Sequence, residues 1–75
     1  MTSDQLFYMS LLYAGGEWSH KGTIHSQACN ALGVETAKAA RTELKACEWI
    51  EFTQEHVRAT EEGLQAVERR VLELI

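Results

Sequence analysis

Proline is absent from the sequence, aromatic residues are few and no long apolar run occurs. The aromatic content is 8%, the hydrophobic content is 45% and no low-complexity tract is present, which argues against intrinsic disorder and favours an ordinary helix-rich globular domain. The longest apolar runs, such as residues 11–14, are far shorter than the roughly 20 residues of a membrane span. The N-terminus lacks the basic region and cleavage site of a secretory signal peptide, so we expect a cytoplasmic protein without a membrane segment.

Cysteine is also scarce, and residues that could support catalysis do not cluster. Cys29 and Cys47 fall in predicted helices, which favours reduced packing residues over a disulfide framework and leaves a redox switch as the minor alternative. His25 and Cys29 are one helical turn apart, and His20 or His56 could fold near them. Two such residues without a second paired motif are far more often unrelated side chains than a metal site. We therefore expect no catalytic residue, no metal and no cofactor.

The length of 75 residues predicts a single domain spanning residues 1–75. A domain of this size buries only about 60% of its unfolded surface, so a partner subunit would add to its stability. The net charge of −4 argues against nucleic acid as a partner, because basic residues that neutralise phosphates supply most of the affinity for DNA. The charge is uneven, however: residues 19–47 hold four basic and two acidic residues, whereas residues 48–75 hold three basic and seven acidic ones.

Capping signals and apolar spacing predict the elements of the N-terminal half. Thr2 and Gln5 form a capping box that opens an apolar helix, and Gly15-Gly16 ends it. Residues 17–20 could form a minimal strand or an extended link. A second helix follows and ends at residue 32. Its two candidate N-caps are Ser19 and Thr23.

Gly33 separates this helix from a longer one at residues 34–47, so that two helices are joined by a tight turn. At about 100° per residue, one face of the longer helix is expected to be buried and holds Val34, Ala37, Ala40, Leu44 and Cys47. Arg41 lies at the border of that face, and Lys38 and Lys45 lie beyond it and form a basic edge. Because a corner of this kind presents its second helix, we favour contact of the edge with a partner. Two acidic residues three positions from the lysines could pair with them instead: Glu35 and Glu48.

Two short strands and a last helix are predicted for the C-terminal part. Residues 49–53 alternate in hydrophobicity as a half-buried strand does, residues 54–56 form a tip and residues 57–60 return as a second strand. Thr60 is the predicted N-cap of a last helix at residues 61–74. The apolar stripe of that helix consists of Leu64, Val67, Val71 and Leu74.

Four segments carry a resemblance to a known family. They are AGGEWS at the end of the first helix, ALGV at the corner, ELKACEWIEF running from the corner into the first strand of the pair, and VRATEEGLQAV entering the last helix. With the order of the elements, they make the chain similar to the winged helix-turn-helix family. The last segment resembles the Thr-x-x-Gly stretch of small bacterial transcriptional regulators of the multiple-antibiotic-resistance type. The resemblance implies an α+β, mostly α, fold: helix, short strand, helix, helix, two-stranded wing and C-terminal helix.

What the resemblance implies is double-stranded DNA binding by a transcriptional regulator, with the helix at residues 34–47 in the major groove and the wing at residues 53–58 against the backbone or minor groove. The residues expected to contact DNA are Lys21, Thr36, Lys38, Arg41, Thr42, Lys45 and Arg58. The N-terminal half of the helix lacks Arg, Asn and Gln for base reading, and the wing tip carries Glu55 where a basic residue is expected. The alternative is a protein-interaction module in which the acidic wing and the last helix bind a protein partner.

The two ends of the chain predict a homodimer. The first helix is apolar on more than one stripe, and the closing segment VERRVLELI holds more apolar residues than one small core covers. The alternative is that the last apolar side chains fray in solvent, as terminal residues often do. The residues expected at the dimer interface are Phe7, Leu11, Val71, Leu72, Leu74 and Ile75.

Overall fold

A computed structural model of the protein describes residues 1–14 and 18–74. In this part of the chain the fold is α+β and mostly helical, with four helices and three strands. The elements are α1 (Ser3–Ala14), β1 (Ser19–His20), α2 (Lys21–Leu32), α3 (Val34–Ala46), β2 (Ile50–Phe52), β3 (His56–Ala59) and α4 (Glu61–Leu74). The predicted stop of α1 at Gly15-Gly16, the start of the predicted first strand at Glu17 and the predicted interface residue Ile75 lie outside the described residues. None of the helices described is long and apolar enough to cross a membrane.

α1 is packed between other elements and contacts α2, α3, α4 and β3. It begins with the predicted capping box, because the Thr2 amide donates to Gln5 Oε1 at 3.1 Å and the Gln5 amide donates to Thr2 Oγ1 at 3.2 Å. Tyr8, Met9 and Leu12 are each 1% exposed and belong to the core. Several neighbouring elements therefore cover the apolar side chains of α1.

α2 begins directly after β1. Its N-cap is His20, whose Nδ1 accepts a hydrogen bond from the Thr23 amide at 3.4 Å. The prediction of Ser19 or Thr23 as the cap is wrong, because Ser19 and His20 are held in β1 by pairing with Val57 and His56 of β3. The helix buries two side chains in the core, Ile24 and Ala28.

Gly33 makes the turn between α2 and α3 with a φ of 93°, which glycine adopts without the strain that a Cβ would add. Its amide donates to the Cys29 carbonyl at 2.9 Å, and its carbonyl accepts from the Ala37 amide at 3.0 Å. One residue therefore ends α2 and begins α3. The predicted buried face of α3 is confirmed for three side chains, Ala37, Ala40 and Leu44.

The predicted face of α3 is wrong at both ends. Val34 is 67% exposed, and Cys47 is exposed as well. Val34 occupies the first position of the helix, and Cys47 follows its last residue. Neither side chain therefore lies over the middle of the core as that of Ala40 does.

α3 ends in a Schellman motif. The Trp49 amide donates to the Leu44 carbonyl at 3.0 Å, and the Glu48 amide donates to the Lys45 carbonyl at 3.0 Å. Glu48 adopts a left-handed conformation with a φ of 61°, a position that glycine most often occupies. The chain reverses here and enters β2.

The three strands form an antiparallel sheet in the order β1-β3-β2. β2 and β3 form a hairpin in which Phe52 pairs with Val57, and at its tip the Thr53 amide donates to the His56 carbonyl at 2.8 Å. Ile50 and Val57 are 2% and 1% exposed and join the sheet to the core. The predicted hairpin is confirmed, with each strand boundary shifted by one residue.

α4 begins at its predicted cap. Thr60 Oγ1 accepts from the Gly63 amide at 3.0 Å and donates to the Glu48 carbonyl at 2.7 Å, while the Thr60 amide donates to the Trp49 carbonyl at 2.9 Å. Gly63 lies so close to that carbonyl that an added Cβ would stand 2.1 Å from the Trp49 oxygen. The start of α4 is thereby fastened to the end of α3 and the start of β2.

Candidate functional site

A groove opens between the first turns of α2, one flank of α3 and the strand β2. Its volume is about 720 Å³. We call it the basic groove, because it is lined by basic and hydroxyl side chains, one histidine and one aromatic ring, with no acidic residue among them: Lys21, Gly22, His25, Ser26, Arg41, Thr42, Lys45 and Phe52. Four of the residues predicted to contact DNA are thus brought together, namely Lys21, Arg41, Thr42 and Lys45.

The helical period explains the contribution of α3 to the basic groove. Arg41, Thr42 and Lys45 lie on one flank of the helix, since residues three or four positions apart are neighbours on a helix surface. Lys38 continues this flank toward the start of α3, and its carbonyl accepts a hydrogen bond from Thr42 Oγ1 at 2.9 Å. Arg41 is half-buried, whereas the other three side chains are exposed.

Lys21 and Lys45 join the basic groove to the hairpin. The Lys21 amide donates to the Glu55 carbonyl at 3.0 Å, and Lys21 Nζ donates to the Thr53 carbonyl at 3.4 Å. Lys45 Nζ lies over the Phe52 ring, 5.2 Å from its centroid, in a cation–π contact. The hairpin is therefore in contact with both α2 and α3.

His25 links the basic groove to the core through Tyr8. The Tyr8 hydroxyl oxygen and His25 Nδ1 are 3.2 Å apart. Burial lowers the pKa of His25, and the positive charge of Arg41 lowers it further. Burial raises the pKa of Tyr8, with Arg41 opposing this and Cys29 adding to it. The tautomer of His25 sets the direction of this hydrogen bond: where Nδ1 accepts from the Tyr8 hydroxyl, Nε2 carries the ring proton and is the second hydrogen-bonding group of His25.

Carboxylates do not neutralise the basic flank of α3 within the described part of the chain. Among the described residues, Arg58 pairs with Glu51 between β3 and β2, and Arg70 pairs with Glu73 within α4. Neither Lys38 with Glu35 nor Lys45 with Glu48 is among these ion pairs. Lys38, Arg41 and Lys45 are left with charges that an anionic partner could meet.

Two predicted DNA contacts lie apart from the basic groove. Thr36 is on the other flank of α3, where it lines a depression with Glu43 and the start of α1. Arg58 pairs with Glu51 across the hairpin, and its guanidinium carbon lies 4.8 Å from the Trp18 ring centroid. The guanidinium of Arg58 is thus already in contact with the hairpin and with Trp18.

An apolar groove of about 780 Å³ lies between α1 and α4. Its lining residues are Leu6, Ser10, Tyr13, Ala14, Val67, Glu68, Val71 and Leu72. Of the predicted dimer contacts, Val71 and Leu72 line this groove and are 43% and 71% exposed, and Leu74 is 62% exposed. Phe7 and Leu11 are not among the lining residues, because they lie on another flank of α1.

Four residues of the basic groove were missed by reasoning from the sequence: Gly22, His25, Ser26 and Phe52. A signal for His25 exists, since it follows Lys21 by four residues and therefore shares its flank of α2. Phe52 has no such signal, because the chain alone does not tell which flank of α3 the hairpin contacts.

Within residues 1–14 and 18–74, no group of three or more His, Cys, Asp or Glu side chains is arranged to hold a metal ion. Cys29 is half-buried, Cys47 is exposed, and both thiols are free. The side chains that line the basic groove offer positive charge and hydrogen bonds to a ligand.

Comparison with protein-family models, with curated proteins and with solved structures gives no match for this chain.

Proposed function

We propose that this protein is a small cytoplasmic DNA-binding protein of the winged-helix class, a transcriptional regulator that lays α3 in the major groove of double-stranded DNA. The observation that carries the proposal is the convergence of Lys21, Arg41 and Lys45 on the basic groove without an acidic residue in its lining. The order of α2, the turn at Gly33, α3 and the hairpin supports the class, with the hairpin as the wing. The free thiols fit a reducing compartment.

The outward face of α3 suits close approach to a duplex. Ala39 and Ala46 are exposed and short, and beside them Lys38 and Thr42 can reach toward base edges. The remaining basic side chains of the groove lie to one side, where a phosphate backbone would run. Because the outward face offers no Arg, Asn or Gln, we expect phosphate contacts to supply most of the affinity.

A salt titration of duplex binding tests this function. Affinity should fall steeply as salt rises, with each neutralised phosphate contributing about −0.9 to the slope of log affinity against log salt. Three single substitutions should each weaken duplex binding and reduce the magnitude of this slope by about 1: Lys38→Ala, Arg41→Ala and Lys45→Ala. Thermal stability should change little, because partly or fully exposed charges contribute little to folding.

The matched control is Arg69→Ala, which removes an exposed positive charge from α4. It should leave the affinity and the slope as in the wild type. Full duplex binding by the triple variant of Lys38, Arg41 and Lys45 would refute α3 as the recognition element.

A protein-interaction module is the second candidate function, because acidic side chains gather at the start of α4. Glu48, Glu61 and Glu62 line a shallow depression together with Thr60 and Gln65. Such a cluster complements a basic protein partner. Duplex binding that is undetectable at low salt, with a basic partner retained by the α3 triple variant and lost on Glu61→Lys, would favour this function over the first.

A further inference from the structure

We propose that the basic groove binds a free nucleoside monophosphate, with the phosphate among the basic side chains and the base beside Phe52. The binding itself depends only on the groove of this chain. Its regulatory meaning, release of DNA, rests on the proposed function.

The phosphate half of the proposal follows from the donors that line the basic groove. Lys21 and Lys45 present ammonium groups, and Arg41 presents a guanidinium whose fork matches two phosphate oxygens. His25 adds an Nε2–H donor in the tautomer in which its Nδ1 accepts from the Tyr8 hydroxyl. A phosphate monoester, which carries nearly two negative charges and accepts hydrogen bonds only, complements this set.

The nucleoside half follows from the size and the remaining walls of the basic groove. Its volume of about 720 Å³ lies in the range of about 300–1,000 Å³ that small-molecule sites occupy, and a phosphate group fills only part of it. Phe52 is half-buried at one wall and is covered by Lys45 on one side, so part of the ring is left for a flat ligand. Gly22 adds no side chain to this space. A base joined to the phosphate would occupy it.

The position of the site implies competition with a duplex. Lys21, Arg41 and Lys45 are the side chains proposed to meet DNA phosphates, and they cannot serve both ligands at once. A nucleotide in the basic groove would therefore lower the affinity for DNA, and its concentration would set how much DNA is bound.

A titration with adenosine monophosphate tests the binding, and the NMR chemical shifts of the backbone amides are its readout. Adenosine and inorganic phosphate are the two comparison ligands, since each lacks one half of the nucleotide. We expect the nucleotide to bind at least about ten-fold more tightly than either, with shifts centred on Gly22, Ser26 and Thr42, because charged hydrogen bonds and stacking add. Inorganic phosphate binding as tightly as the nucleotide would overturn the assignment of the base.

Variants locate the ligand. Lys45→Glu places a carboxylate in the basic groove at an exposed position and should weaken nucleotide binding about ten-fold or more without unfolding the chain. Phe52→Leu should lower the affinity for the nucleotide but not the affinity for inorganic phosphate. Arg69→Ala should change neither affinity. Wild-type nucleotide affinity in Lys45→Glu, or shifts confined to other surfaces, would overturn the site.

Duplex binding is measured separately, so the two proposals can fail independently. Nucleotide binding without duplex binding supports the site and removes the DNA-binding function. Duplex binding without nucleotide binding does the reverse. If both bind, displacement of duplex by adenosine monophosphate but not by adenosine supports the regulatory role, and an unchanged duplex affinity overturns it.

Discussion

The hydrogen bond between Tyr8 and His25 crosses from the core to the basic groove. Tyr8 is 1% exposed, so its hydroxyl would lose its partner if His25 were absent. A buried polar group without a partner costs about 1–3 kcal/mol. His25 therefore serves the stability of the fold as well as the lining of the groove.

Stability should decrease in mild acid because of His25. Its pKa in the folded protein lies below the ordinary value of 6.5, so below that pH the unfolded chain binds more protons than the folded one. The contribution of neutral His25 to the free energy of unfolding is fully present above pH 6.5. It is lost as the pH falls through the lowered pKa of the folded protein. Urea denaturation between pH of about 7 and about 5 measures the free energy of unfolding that tests this.

His25→Gln removes the titrating group and should make the free energy of unfolding less dependent on pH in this range. His56→Gln is the control, because His56 is exposed at the first residue of β3 and its ring lies against that of His20, with the centroids 6.0 Å apart. The same pH dependence in His25→Gln as in the wild type would contradict the assignment.

At the scale of elements, the end of α3 offers a stabilising substitution. Glu48 holds a φ of 61°, which costs energy for a residue with a Cβ and little for glycine. Its contacts in the turn are made by the backbone, so they survive removal of the side chain. Glu48→Gly should raise the free energy of unfolding by about 0.5–1 kcal/mol, measured by urea denaturation. Glu62→Gly, within α4, is the comparison and should lower it, because glycine disfavours a helix.

Local sequence signals account for most elements of the fold. The capping box at Thr2 and Gln5, the cap at Thr60 and the alternation in the hairpin all depend on neighbours in the chain, and the structure contains each of them. Prediction failed where distant segments decide the outcome. Pairing of β1 with β3 carries the strand through His20, and the cap of α2 moves there from Ser19.

In the candidate site, too, the features set by neighbours in the chain were predictable, and those set by distant segments were not. The period of α3 predicts a basic edge of Lys38, Arg41 and Lys45, and two of these residues, Arg41 and Lys45, line the groove together. It does not indicate which neighbour covers which flank. α1 lies against the flank of Thr36, and the hairpin lies against that of Lys45, so Thr36 is separated from the groove and Phe52 enters it.

At the scale of the whole molecule, the homodimer stays a prediction, and the apolar groove is where we expect it to form. Tyr13, Leu72 and Leu74 are 61%, 71% and 62% exposed, and covering apolar surface contributes about 25 cal/mol per Å². Sedimentation tests this, and we expect it to detect a dimer. Val71→Glu should give a monomer, because it places a charge in the groove.

The control for the dimer is Glu62→Gln, a substitution in α4 that lies outside the lining of the apolar groove. It should leave the sedimentation unchanged. A wild-type protein that sediments as a monomer, whatever residue stands at position 71, would remove the dimer and the expectation of a two-fold symmetric DNA site.

The close contacts of Thr60 and Gly63 with the backbone of Glu48 and Trp49 connect the start of α4 to the turn that follows α3. A partner that tilts α4 would act on this turn directly, because Thr60 and Gly63 contact its backbone. In a dimer joined through α4, the distance between the two copies of α3 would therefore depend on how the interface holds the start of α4. Moving one half-site along the duplex by one base pair, about 3.4 Å, would leave one of the two helices out of step.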